Sequence, residues 1–302
     1  MNPQSMPPHQ PEGEPPSSKP GRKLGPIADS VGAAHRAWLE PLRTRFLGSR
    51  LTISDLSGST GYAKSKISEL LRGAGLYPRW EITNSVLHVL GVPTWPMRRL
   101  WAAAAFEAQK KPAWVKGCIA TVAISTGPAV PPLDHQGFMQ LNRVPYTRYA
   151  QIFLCSDQAK QVVRATSDIL WLRWEEALGS ADVQKFAWPV LRAGVMARTP
   201  HIDGRPELVP AAFDTVVLGA TTSGTARFEQ IEESMGLFKA LSRLPDHQLD
   251  VMALKYLRGM DDGAVADVLG VPLAAVRSAD RYAKRSLTET LGPHDPPGET
   301  PQ

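Results

Sequence analysis

Cysteine is nearly missing from this sequence: Cys118 and Cys155 are the only two in 302 residues. Two thiols cannot build a disulfide framework or complete a zinc site alone, and no histidine stands near either at ligand spacing. Both lie in apolar sequence, which predicts small buried hydrophobes in a reducing compartment. Long apolar runs are missing too, and residues 1–27 lack the apolar segment of a signal peptide. The expectation is a cytoplasmic protein with no membrane partner.

Catalytic signatures are equally scarce. There is no phosphate-cradling GxxxxGK and no GxSxG. Glu175-Glu176 and Glu232-Glu233 are neighbours on predicted helices, projecting about 100° apart, so neither pair can flank one substrate. The seven histidines are scattered, with His88 placed at a core edge and His201 and His247 near loops. We therefore expect no enzyme, no catalytic or metal-binding residues and no cofactor. Alternating apolar patterns and clusters of β-branched residues are few, and no repeat of solenoid period is visible. The fold class that remains is all-α.

What the chain does have is an uneven charge. Residues 1–116 carry 16 Lys/Arg against 8 Asp/Glu, a balance of +8, whereas the rest carries 18 against 21, a balance of −3. A basic domain attracts phosphate through counterion release, which supplies affinity without sequence information. Pro, Gly, Ser and charge crowd residues 1–27 and 292–302, predicting disordered tails. Two further breaks, 119–142 and 200–230, hold most of the remaining Pro and Gly clusters and read as linkers, the first opening with a possible short strand, IATVAIS. They separate helical blocks at 28–118, 143–199 and 231–291.

In the first block, Trp38, Leu42, Arg45 and Phe46 predict a helix over 34–48. Thr52 is an N-cap candidate with Asp55 as its capping-box partner, and Gly58 and Gly61 are read as stopping this short helix. Ile67, Leu70 and Leu71 then form the inner stripe of a second helix that Gly73 ends. Its other face offers Lys64, Ser65, Ser68, Glu69 and Arg72. Trp80, Trp95, Trp101 and Trp114 lie with Leu87, Leu90, Leu100 and Phe106, which favours core packing over a base-stacking platform.

The string LTISDLSGSTGYAKSKISELLRG resembles a phage-repressor-type helix-turn-helix, in the version common in actinomycete regulators. The resemblance covers about residues 34–116. It implies that Lys64, Ser65 and Glu69 face bases in a major groove, with Lys66 and Arg72 near phosphates.

Residues 237–291, LSRLPDHQLDVMALKYLRGMDDGAVADVLGVPLAAVRSADRYAKRSL and its continuation, resemble region 4 of extracytoplasmic-function sigma factors. Pro245 marks a helix start; Leu249, Met252, Tyr256 and Leu257 are its expected buried stripe, closed by Gly259. Val265, Ala266 and Leu269 form a scaffold helix before Gly270, and Val276, Ala279 and Ala283 line the last helix. Residues 146–198 resemble a degenerate sigma region 2. Lys160 and Arg164 stand where that family carries core-docking carboxylates, and Pro189 is expected to kink or end the promoter-melting helix. The region 4-like recognition helix opens with apolar Pro272-Leu273-Ala274-Ala275, leaving Arg277, Ser278, Arg281, Lys284 and Arg285 for phosphate.

Taken together, the resemblances imply an N-terminal helix-turn-helix bundle followed by two small sigma-like helical domains. The function they imply is a regulator of transcription that binds double-stranded DNA mainly through the N-terminal unit. RNA polymerase, another regulator and a second copy of the chain are the further partners they admit. An active initiation factor with an added DNA-binding domain, or a protein-interaction scaffold, are the alternatives.

Overall fold

A computed structural model describes residues 24–122, 128–208 and 235–291. The fold is all-α, with a single two-stranded hairpin among the described residues. Six helices make the N-terminal unit: α1 Ala33–Gly48, α2 Ile53–Thr60, α3 Lys64–Arg72, α4 Trp80–Leu90, α5 Thr94–Glu107 and α6 Pro112–Ala120. Their apolar stripes converge on Trp38, Leu42, Trp80 and Trp101, all buried. Aromatic packing joins them, with Trp80 and Trp101 ring centroids 5.4 Å apart and Trp101 stacked on Trp114 at 5.8 Å. Trp95 is half-buried under Arg98, and Phe106 is exposed rather than packed.

The chain continues through α7 Leu133–Ala150, α8 Ser156–Leu172, α9 Trp174–Leu178 and α10 Val183–Met196. A helix over 235–241 (α11), α12 Asp246–Met252, α13 Asp262–Leu269 and α14 Leu273–Leu291 complete it. α12 runs on into a π-helical turn, Ala253–Leu257.

Several expectations change here. The stretch 119–142 is not all linker: Ile119 and Ala120 close α6 instead of opening a strand, and α7 begins at Leu133, straight after Pro132 at its N-cap. The rest of the IATVAIS strand, residues 123–125, lies outside the described residues. Within 200–230, His201–Ile202 pairs with Arg205–Pro206, because Asp203 and Gly204 both take positive φ, 51° and 72°, as a two-residue hairpin turn requires. The tails 1–23 and 292–302, and residues 209–234, lie outside the described residues. Residues 24–27 belong to the folded unit: Leu24 and Ile27 pack on the first core, and the Gly25 carbonyl accepts from Arg43 at 3.0 Å.

Nor do blocks 143–199 and 231–291 form separate small domains. One core runs from Tyr146 on α7 through Val162, Trp188 and Leu191 to Leu254, Val265 and Val276. At its centre lies a carboxylate. Asp250 accepts from Tyr149 Oη at 2.6 Å, Trp188 Nε1 at 3.0 Å and Arg192 Nε at 2.9 Å, so three partners from the earlier block share one charge from the later one. Burial raises the Asp250 pKa and the charge of the partly buried Arg192 opposes that shift. α8 ties both halves: Asp168, buried, is held by Arg99 of α5, with Nε to Oδ2 at 2.9 Å. Ala165, Ile169 and Leu172 of the same helix pack on the first core.

Four smaller readings are also corrected. Pro189 does not end α10, which runs on to Met196 with the proline exposed. Tyr256 is exposed, since the π-helical turn rotates it off the buried stripe, and its hydroxyl donates to Asp280 at 2.8 Å. Cys118 is buried, but Cys155 is exposed at the start of α8. His88 is exposed on α4.

Candidate nucleic-acid interface

The sequence between Thr52 and Gly73 folds as two short helices at a tight turn. Thr52 caps α2 reciprocally: its hydroxyl accepts from Asp55 N at 3.2 Å and its own N–H donates to Asp55 Oδ2 at 2.7 Å. These bonds hold the Asp55 carboxyl below its usual range. Gly58 lies inside α2, which extends to Thr60; only Gly61 stops it, at φ 73°, a left-handed backbone that glycine takes without steric cost. Ser57 Oγ closes the turn by donating to the Tyr62 carbonyl at 2.7 Å.

α3 is strongly divided. Ile67, Leu70 and Leu71 are buried against α1 and α2, and Gly73 ends the helix at φ 63°. Lys64, Ser65, Lys66 and Arg72 are exposed, while Ser68 and Glu69 are half-buried. No side chain caps the N-terminus of α3, so its first N–H groups and the positive end of its dipole lie beside the exposed Lys64. Two site residues are engaged with each other: Lys66 Nζ lies 2.7 Å from Glu69 Oε2.

Arg43 escaped the sequence reading. From α1 it donates to the Leu71 carbonyl at 2.5 Å and to Gly25 at 3.0 Å, fixing the C-terminal end of α3 to the first helix. Only its i, i+4 spacing from Leu39 hinted at an inward role. Burial lowers its pKa, the Arg72 charge adds to this, and Glu40 opposes both.

α13 and α14 repeat the two-helix arrangement, with Gly270 between them at φ 65°. Val276, Ala279 and Ala283 are buried, as expected, while Leu273, Ala274 and Ala275 present an exposed apolar first turn. The basic residues of α14 are less free than the sequence suggests. Arg277 lies 3.4 Å from Asp262 and Lys284 lies 3.4 Å from Asp280. Lys255 bridges the same two carboxylates at 2.6 and 2.9 Å. Arg281 and Arg285 flank the exposed Tyr282 ring, at 5.6 and 5.9 Å from its centroid, and Ser278 is half-buried beside them. The structure therefore gathers Lys64, Ser65, Lys66 and Arg72 on one exposed face and the α14 cations on a second.

No histidine, cysteine or carboxylate group of metal-binding size occurs among the described residues, and no helix among them is long and apolar enough to cross a membrane. No protein-family model matches the chain, and no curated protein is significantly similar to it.

Proposed function

We propose that this chain is a sequence-specific regulator of transcription that reads double-stranded DNA through α3, with α14 as a second, weaker contact. The observation that carries the reading is the division of α3: three apolar residues buried, four polar or basic residues exposed, and an N-terminus without a side-chain cap. Such a helix can enter a major groove, where Lys64 and Ser65 reach base edges and Arg72 reaches phosphate. The apolar opening turn of α14 and the carboxylates beside Arg277 and Lys284 limit that helix to backbone contact. This regulator would act in the cytoplasm without a catalytic step.

The test is duplex affinity of the full chain, for its genomically mapped site and for random sequence. Lys64→Ala and Ser65→Ala narrow the gap between the two by roughly 1–3 kcal/mol where a bidentate base contact is lost, while Arg72→Ala weakens both equally. Affinity falls steeply as salt rises. Salt-independent binding, or equal losses on both duplexes for all three variants, refutes the reading and favours an interaction scaffold.

An initiation factor is the second reading, since α10 stays helical through Pro189. Against it stand the exposed Lys160 and Arg164 on α8, and Trp188 and Arg192 of α10, which are engaged with Asp250. Run-off transcription with core polymerase and a template carrying the mapped site decides, and we expect no product that depends on this chain. Robust initiation makes the second reading correct.

A further inference from the structure

α1, α8 and α10 enclose an unfilled space beside the packed contact of α1 with α8. The helices face each other there with small residues, Ala37, Pro41, Ala165, Ala193, Gly194 and Ala197, whose short side chains leave a cavity of about 630 Å³. Val162 and Ile169 extend its apolar wall, and at Gly194 the floor is close, since a Cβ there would lie 3.3 Å from Val162 Cγ1. This volume falls within the roughly 300–1,000 Å³ of small-molecule sites.

The charges around it are mostly of one sign. Arg36, Arg43, Arg173 and Arg198 line the cavity, against Glu40 alone. Three of the four are occupied: Arg36 pairs with Glu40 at 3.4 Å, Arg173 pairs with Glu176 at 2.8 Å, and Arg43 donates to two backbone carbonyls. Arg198 differs. It makes one hydrogen bond, to the Gly194 carbonyl at 3.1 Å, and has no ion-pair partner among the described residues. Burial lowers its pKa, and the charge of Glu107, which also accepts from the Ala34 N–H at 2.8 Å, opposes that shift without a direct ion pair. A partly buried guanidinium with one of five donors used, in the lining of an apolar cavity, is suited to a planar anion.

We propose that the cavity between α1, α8 and α10 binds a small anionic amphipath, its carboxylate or phosphate head held by Arg198 and its apolar body lying among the alanines. The proposal does not depend on the DNA-binding reading, and its test uses no DNA.

The full-length chain is titrated with 8-anilinonaphthalene-1-sulfonate, and the probe is displaced by decanoate, decanol or decylamine. One saturable site is expected, with decanoate displacing the probe at least about tenfold better than decylamine, as charge complementarity to arginine requires. Ala193→Trp, on the open side of the cavity, fills it and abolishes saturable binding, with the thermal midpoint measured alongside. Arg198→Gln weakens decanoate by about tenfold and leaves decanol unchanged, which separates loss of the head-group contact from loss of the cavity. If Ala193→Trp does not fold, the decanoate-to-decanol ratio in Arg198→Gln decides. Absence of a saturable site, equal displacement by decylamine and decanoate, or an unchanged ratio in Arg198→Gln overturns the proposal.

Discussion

His35 stands between Trp38 and Tyr77, with ring centroids 4.9 and 5.0 Å away, and its Nε2 is buried without a hydrogen-bond partner. Burial pushes its pKa down to about 4, against an ordinary 6.5. Between those values the unfolded chain binds a proton that the folded chain refuses. Stability is therefore present above pH 6.5 and is lost as pH falls toward 4, by roughly 1–3 kcal/mol once partial solvent access is allowed for. His135, likewise lowered by burial, adds a slope of the same sign. His35→Phe should keep the aromatic packing and remove one of the two slopes. Urea midpoints at pH 7.5 and 4.5 check this, and an unchanged difference between the two pH values in the variant refutes it.

At the scale of the element, the parts governed by neighbours in sequence were legible. Thr52 and Asp55 announced the cap of α2, Gly61, Gly73 and Gly270 announced left-handed ends, and Ile67, Leu70 and Leu71 announced the inner face of α3. These are local rules, and they located the candidate interface. What failed depends on distant partners. Asp250 sits 101 residues from Tyr149 and 58 from Arg192, so nothing beside it in LDVMALKYL tells what neutralises it. Tyr256 was misplaced for a related reason, since a π-helical turn shifts the helical period that the reading assumed. Arg277 looked free because Asp262 approaches it only in the folded unit, whereas Lys284 and Asp280 are four residues apart on α14, a local pairing that the reading missed. Asp250→Ala should cost about 3–5 kcal/mol, because it strands a partly buried guanidinium. The lower end is expected, since Arg192 keeps Asp246 at 2.9 Å. Urea denaturation of the full chain measures it, and a loss below about 1 kcal/mol, the scale of a surface pair, shows that the ion pair holds nothing together.

The largest departure from the sequence reading lies in the whole molecule, where two blocks expected to be linked loosely share one core and a third is joined to them through Arg99 and Asp168. Blocks 143–199 and 231–291 also meet backbone to backbone at Gly270. A Cβ there would lie 2.2 Å from Lys185 N and 2.7 Å from its Cα, distances that backbone cannot accommodate without moving. α13 and α10 must therefore separate in Gly270→Ala, apart from the roughly 1–2 kcal/mol that the left-handed conformation costs an alanine. Gly259→Ala is the control: φ there is 68°, the same backbone cost, but nothing lies within 4 Å of its Cβ. Hydrogen exchange on the full chain distinguishes them. In Gly270→Ala the amides of α10 and α12 should exchange faster while those of α1 and α5 stay protected, since the first core makes no use of that seam. In Gly259→Ala the α10 amides should keep their protection relative to the rest of the chain. Equal behaviour of the two variants at α10 would mean that Gly270 matters only for its own backbone, and that blocks 143–199 and 231–291 are not held together at that contact.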